Sequence, residues 1–263
     1  MYKLVAIDID GTLLNSKHLL DETTIKRVKE VQKSGIKVIL VSGRDFIAAK
    51  PYMDVLNTKD LLVGLNGCRV YDSGGEIIFS EDLSYNISKE ILSICEEEKL
   101  YTVLFIDKNT YVEKKYDFMD VLNYVKGSLE VGKLSLFYKN QIITKFLLVD
   151  NNEKLNKIKK RLDNHFGEKI NSQFSLPHFL EIFNGKVNKG VMLKKICNLY
   201  NINTDEVIAI GDWDNDLSMI EYAGLGIAME NGSENLKIKA DYITKSNDNL
   251  GVAFALEKFI LNK

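Results

Sequence analysis

At 263 residues, 45% hydrophobic and 27% charged, the chain is long enough for one large domain or two modest ones, with an ordinary globular composition. A formal net charge of -2 argues against a general nucleic-acid or membrane-surface binder. Cys68, Cys95 and Cys197 are odd in number and scattered, which speaks against a disulfide framework or zinc site and points to the cytoplasm. No stretch approaches the ~20 apolar residues of a membrane span. No signal peptide is expected at the start, because its apolar run is short and carries Asp8 and Asp10.

Leu4 to Ile7 reads as a strand buried on both faces, as in a parallel sheet, and Gly11-Thr12 breaks it. Asp8 and Asp10 then stand at its carboxyl end, where open α/β sheets place their ligands. Asp21 is a helix N-cap, with Ile25, Val28 and Val31 at helical spacing and Gly35 as the stop. Ile36 to Val41 is a second strand, ending in Ser42-Gly43-Arg44, and completes a βαβ unit. A helix is expected from Asp45 to Leu56, with Pro51 testing its continuity. Leu61 to Gly64 is a strand, followed by Asn66-Gly67 and a hairpin of Arg69–Tyr71 against Ile77–Phe79.

From Asp82 the character changes to mixed α and β. Helices are expected over Ile87–Glu98, Tyr116–Val125 and Glu153–Phe166. Strands are expected over Tyr101–Ile106, Leu134–Tyr138 and Lys145–Val149, with a strand pair over Phe174–Phe183 turning near Pro177. The α/β rhythm returns at Val187. A helix opens at Asn188-Lys189-Gly190 and runs to Tyr200, and Val207–Ile210 is a strand leading into Gly211-Asp212-Trp213-Asp214-Asn215-Asp216. Leu217–Ala223 is a helix, Leu225–Met229 a strand, Asn235–Ile238 a helix, Tyr242–Ile243 a strand and Gly251–Leu261 the last helix.

Three strand ends therefore carry chemistry: Asp8/Asp10, Ser42-Gly43-Arg44 and Asp212 to Asp216, with Lys189 at a helix start able to join them. Carboxylates take hard cations such as Mg2+. Hydroxyl, backbone N–H and ammonium are phosphate ligands. Together they suit phosphoryl transfer, which needs positioning and charge neutralisation. Other readings fit less well. A calcium loop starting at Asp212 would want Gly and Glu where Leu217 and Ala223 stand. Met229 occupies the third glycine position of a dinucleotide fingerprint, and no Walker motif is present. The same acidic stretch as a solvated turn stays open at this point.

The stretches Asp8-Ile9-Asp10-Gly11-Thr12-Leu13-Leu14, Ser42-Gly43-Arg44, Lys189-Gly190 and Gly211 to Asp216 resemble, in order, the four motifs of the haloacid dehalogenase-like hydrolase superfamily. The insertion between the second and third motifs resembles the α+β cap of its Cof-type phosphatase branch. Ala223-Gly224 to Ala228-Met229 and Ala240-Asp241 are also similar to that branch. Val187-Asn188 departs from it, since a small Ser often precedes the lysine there. The resemblance implies an α/β fold: a Rossmann-like parallel-sheet core with helices on both faces, formed by residues 1–82 and 188–263, and a cap over 83–187. It implies a Mg2+-dependent phosphatase for small phosphorylated metabolites, sugar phosphates first, working as a monomer or weak homo-oligomer without nucleic acid or membrane.

Carried over residue by residue, the resemblance makes Asp8 the nucleophile and Asp10 the acid, then base. Mg2+ would sit on the Asp8 carboxylate, the Asp10 carbonyl and Asp212. Ile9, Ser42, the Gly43 N–H, Lys189 and Asn215 would hold the phosphoryl group, with Arg44 and Asp216 standing behind them. The alternatives are a phosphohexomutase, which must shield its aspartyl-phosphate from water, and a non-catalytic binder, which has no need of a nucleophile.

Overall fold

The computed structural model describes residues 1–115 and 127–262 of the chain. Strand and helix alternate from the start: β1 (Leu4–Ile7), α1 (Glu22–Lys33), β2 (Lys37–Val41), α2 (Phe46–Leu56) and β3 (Leu62–Gly64). Asp21 caps α1 by accepting from the Thr23 N–H, and Asp45 caps α2 by accepting from the Ala48 N–H. Pro51 sits inside α2 on its exposed face, where the carbonyl it leaves without a donor can turn to water, and the helix continues. β4 (Arg69–Tyr71) and β5 (Ile77–Ser80) then add to the sheet edge.

The middle of the chain forms α3 (Tyr85–Glu97), β6 (Tyr101–Ile106), β7 (Asn109–Val112), β8 (Leu129–Glu130), α4 (Leu134–Phe137), β9 (Ile143–Val149), α5 (Asn152–Phe166), β10 (Ile170–Leu176) and β11 (Phe179–Asn184). The expected helix over Tyr116–Val125 lies outside the described residues. One expectation is overturned: Leu134–Tyr138 is a turn of helix, not a strand. Leu134 and Tyr138, four residues apart, are the buried pair, and Leu136 between them is exposed, which is a helical and not an alternating pattern. The Glu96 carboxylate also accepts from the Ser135 N–H, satisfying a donor at the helix start. β7 and β8 were not expected. They are short, and neither contains an apolar run.

The last third gives α6 (Lys189–Tyr200), β12 (Val207–Gly211), α7 (Leu217–Tyr222), β13 (Leu225–Ala228), α8 (Glu234–Lys239), β14 (Tyr242–Ile243) and α9 (Gly251–Leu256), which runs on into a wider turn to Leu261.

Two compact units result: Met1–Phe79 with Asn188–Lys263, and Ser80–Val187. The first junction falls three residues before the expected 82/83. Asp82 is tied to the middle unit, because its carboxylate accepts from Thr144 Oγ1 at 2.6 Å and its carbonyl from Asn184 Nδ2 at 2.8 Å.

In the first unit the sheet order is β14-β13-β12-β1-β2-β3-β4-β5. β1 is parallel to both neighbours, with Leu4 opposite Val207 on one side and Lys37 on the other. All four β1 residues are completely buried, as its unbroken apolar run requires. Val5 and Ile7 pack in a core with Val28 and Val31 of α1, Met53 of α2 and Leu256 of α9. Strand order runs outward from β1 in both directions, so the end of β1 is the switch point where such sheets bind ligands.

The middle unit is a mixed α+β module whose described strands run β10-β11-β9-β6-β7-β8. Leu104, Phe146, Leu148, Leu180 and Ile182 from its sheet pack against Leu92 of α3 and Leu155 and Leu162 of α5. Lys145 and Glu181 are also buried on its strands, with Nζ 3.0 Å from Oε2.

Candidate active site

Past Ile7 the chain leaves the strand at Asp8 and winds through a wide turn, closed by Leu13 N–H to the Asp8 carbonyl at 3.2 Å and Leu14 N–H to the Ile9 carbonyl at 3.0 Å. Gly11 has φ +79° within it, and a Cβ there would lie 2.2 Å from Asp212 Oδ2. Only glycine permits both the turn and this approach of the loop after β12. Thr12 Oγ1 donates to Asp212 Oδ1 at 2.8 Å, and Asn231 Nδ2 to the Gly11 carbonyl at 2.9 Å. The turn thus brings Asp8 and Asp212 together and sends Asp10 elsewhere. Both Asp10 carboxylate oxygens are held by Arg44, at 2.7 Å from Nε and 2.6 Å from Nη2. Asp10 remains 42% exposed while Arg44 is buried. His18 Nδ1 lies 3.8 Å from Asp10 Oδ1.

Lys189 is the first residue of α6, set there by Asn188, whose side chain accepts from the Val191 N–H. Its fully buried ammonium is 2.6 Å from Asp8 Oδ1 and 2.5 Å from Asp216 Oδ1. Asp216 Oδ2 accepts the backbone N–H groups of Asp212 at 2.9 Å and Trp213 at 3.1 Å, which folds the acidic loop back over the end of β12. Asp212 and Asp216 are buried while Trp213 and Asp214 between them are exposed, so the solvated-turn reading holds for the middle of the stretch and not for its two end carboxylates. Oxygens of Asp8, Asp212 and Asp216 all lie within 4.8 Å of one another.

The electrostatics follow from that crowding. Burial, then the charge of Asp216, push the Asp8 carboxyl well above its ordinary range, against the pull of Lys189. Burial and Asp216 likewise push Asp212 up to about 7, with the Thr12 hydrogen bond opposing. Burial works against the Lys189 charge, but Asp216 and Asp8 outweigh it, so its ammonium holds its proton more firmly than usual. Three carboxylates thus share one lysine in a buried space. A hard divalent cation fits this all-oxygen donor set and would supply the missing positive charge.

The remaining expected residues lie on the adjoining loops. Ser42 is buried at the end of β2, and its Oγ accepts from the Arg44 N–H at 3.2 Å. The Ile9 side chain is in the apolar core, which leaves only its backbone for the site. Asn215 Nδ2 donates to Asn66 Oδ1 at 3.3 Å, and the Asn66 amide lies against Gly43. Arg44 also feels the charge of Asp8.

A family model for haloacid dehalogenase-like hydrolases matches residues 5–256. The chain belongs to the haloacid dehalogenase-like hydrolases. This hydrolase is 32% identical to YxeH of Bacillus subtilis (strain 168), provisionally named a phosphatase, over 100% of each chain. It is 29% identical to the 5-amino-6-(5-phospho-D-ribitylamino)uracil phosphatase YwtE of the same organism, over 98% of each. Among solved structures it is similar to a haloacid dehalogenase-like hydrolase from B. subtilis, with a TM-score of 0.90 at 29% identity, covering 98% of this chain and 100% of that one. The hydrolase is an enzyme, a phosphatase. No helix of the described residues is long and apolar enough to cross a membrane.

Three residues placed here in the hydrolase, Thr12, Asn66 and His18, have no assigned role in the motif pattern. Thr12 stands inside the first motif, and a hydroxyl one residue past the Gly11 bend was the available signal. Asn66 stood beside the third strand as an ordinary turn residue. His18, with φ +57°, stands in no motif and comes near Asp10 only in the fold.

Proposed function

We propose that this hydrolase is a Mg2+-dependent phosphatase of small phosphorylated metabolites, sugar and polyol phosphates first, working through an aspartyl-phosphate on Asp8. The observation that carries this reading is the Asp8 carboxylate at the switch point of the sheet, held at 2.6 Å by a buried lysine and crowded by two further buried carboxylates. Mg2+ would be held by Asp8, Asp212 and the Asp10 carbonyl, and when bound it supplies positive charge that favours ionised carboxylates and offsets phosphoryl charge.

Asp8 attacks phosphorus, an Asp8–phosphorus bond forms, and the bond to the leaving oxygen breaks while Asp10 gives that oxygen a proton. Water then attacks phosphorus, Asp10 takes its proton, and the bond to Asp8 breaks. Lys189 pulls Asp8 toward its ionised form and points it, and with the Ile9 backbone, Ser42, the Gly43 N–H and Asn215 it holds phosphoryl oxygens. Asp216 fixes Lys189. Arg44 occupies one lone pair on each oxygen of Asp10, and the second lone pair on each is left for the proton transfers.

The named substrate of YwtE carries a phospho-D-ribityl group, which supports a polyol phosphate as the class to try first. The inserted middle unit is assigned the choice of substrate. All three cysteines are free and buried, which supports work in the cytosol, and the small net charge supports a substrate other than nucleic acid. The test is phosphate release from a panel of sugar, polyol and nucleotide phosphates with Mg2+ and with excess EDTA. Turnover of a subset with Mg2+, lost on chelation and restored by adding the metal back, is expected. Full turnover in EDTA, or none on any phosphate ester with Mg2+, would overturn the assignment.

A further inference from the structure

Between β3 and β4 the backbone does something that its sequence, Leu65-Asn66-Gly67, does not require for a simple turn. Leu65, Asn66 and Gly67 take φ +51°, +57° and +101° in succession. Two of these are not glycine, and Leu65 is buried in a conformation that L residues rarely adopt. Such strain persists where surroundings over-determine it, and it gathers at functional sites.

The surroundings here are the phosphate-handling loops. Leu65 N–H donates to the Arg44 carbonyl at 2.9 Å, and Asn66 N–H to the Ser42 carbonyl at 3.0 Å, so the segment is stitched to the loop after β2. Gly67 lies so close to the start of α6 that a Cβ on it would be 2.6 Å from the Asn188 carbonyl, one residue before Lys189. The buried Asn66 side chain reaches the third element, with its Oδ1 taking the Asn215 amide at 3.3 Å. The same amide packs on Gly43, where a Cβ would stand 3.3 Å from Asn66 Oδ1. One wound segment thus meets Ser42-Gly43, Asn188 just before Lys189, and Asn215, which come from three separate stretches of the chain.

We propose that Asn66 is a positioning residue of this phosphate cradle, aiming the Asn215 amide and bracing Gly43, and acting on the phosphoryl group only through them. The bland alternative is that asparagine is there because it tolerates a left-handed backbone. Glycine would serve that need equally, as it does at the next position. The assignment rests on the reading of Asn215 as a phosphate ligand.

Asn66→Gly separates the two roles, since it keeps the backbone and removes the amide. The probe is inorganic phosphate, titrated calorimetrically into the Mg2+-loaded protein and used as a competitive inhibitor of aryl phosphate turnover. Asn66→Gly is expected to weaken phosphate by about tenfold, the scale of one buried hydrogen bond, with the melting temperature nearly unchanged. Asn215→Ala should weaken it comparably, and the double variant no further than Asn215→Ala alone. Asn66→Asp keeps the shape, the left-handed preference and an acceptor for Asn215, so Asn215→Ala should retain its full effect on that background. This second cycle also stands in if Asn66→Gly does not fold.

Fully additive effects of Asn66→Gly and Asn215→Ala, or loss of the Asn215→Ala effect on the Asn66→Asp background, would overturn the proposal. If Asn215→Ala weakens phosphate and Asn66→Gly does not, this inference alone fails. If Asn215→Ala leaves phosphate affinity unchanged, the ligand assignment fails and the inference falls with it.

Discussion

Lys189 in the first unit and Lys145 in the second are both fully buried ammonium groups beside a carboxylate on a strand or at its end, and they pose opposite problems. Lys145 lies 3.0 Å from Glu181 and 4.5 Å from the centre of the Phe105 ring, a cation beside a carboxylate of opposite charge and an aromatic face. Lys189 faces Asp8 and Asp216 with Asp212 adjoining, three carboxylates to one cation. A balanced buried pair roughly offsets its own desolvation and leaves nothing unmet. An unbalanced cluster needs protons or a metal ion. Burial of charge is therefore common to both units, and the excess of one sign is what marks the chemistry.

The largest effect expected from that imbalance is catalytic. Asp8→Asn removes the nucleophile and should lower turnover by about 10⁴–10⁶-fold, with no phosphate adduct in the intact-protein mass after acid quenching. Asp10→Asn, outside the carboxylate cluster, should lose about 10²–10⁴-fold. With an aryl phosphate of good leaving group it should accumulate an adduct on Asp8. An adduct on the Asp8→Asn protein would show that another residue is the nucleophile.

The comparison itself is broken or kept by truncating each lysine. Lys145→Met leaves Glu181 buried against an apolar side chain and should destabilise by about 3–5 kcal/mol, most of it recovered by adding Glu181→Leu. Lys189→Met should also destabilise, but Mg2+ should restore part of its stability, since the cation substitutes for the lost charge. Chemical denaturation with and without Mg2+ distinguishes them. Equal rescue of both variants would mean that charge imbalance does not set the two sites apart.

The smallest effect is a pH dependence. Asp212 binds its proton up to about pH 7 in the metal-free fold, against an ordinary carboxyl value of 3.8. Its pKa is raised on folding, so the stability linked to it is full below about pH 4 and is lost as pH rises toward 7, with Asp8 acting in the same direction. The loss is on the order of a few kcal/mol. Denaturation of EDTA-treated protein at pH 4.5, 6 and 7.5 should show the decline, and Asp212→Asn should flatten it. Saturating Mg2+ should also reduce it, because the metal favours the ionised carboxylates. A metal-free protein whose Asp212→Asn variant shows an identical pH slope would contradict the raised carboxyl.

Much of the fold was legible because its signals are local. The Leu4–Ile7 run and the Val207–Ile210 run are strands because strands covered on both faces need unbroken apolar sequence. Asp21, Asp45 and Asn188 cap helices through bonds to N–H groups two or three residues on. Leu134–Tyr138 failed because a short, mostly apolar five-residue stretch is compatible with either period, and only the burial of Leu134 with Tyr138 decided it.

The sequence by itself determined which residues stand at strand ends, since that depends on the residues just before them. It placed Asp8 after β1, Ser42 after β2 and Asp212 after β12. Only the tertiary structure decided which of those groups meet. Thr12 bonds Asp212 across 200 positions, Asn66 takes Asn215, and the two aspartates of the first motif part company, Asp8 to Lys189 and Asp10 to Arg44. The reason is that side-chain partners across a sheet are set by strand order, register and the direction of one wide turn at Gly11. Each of these depends on segments far apart in the chain, so no local pattern encodes them.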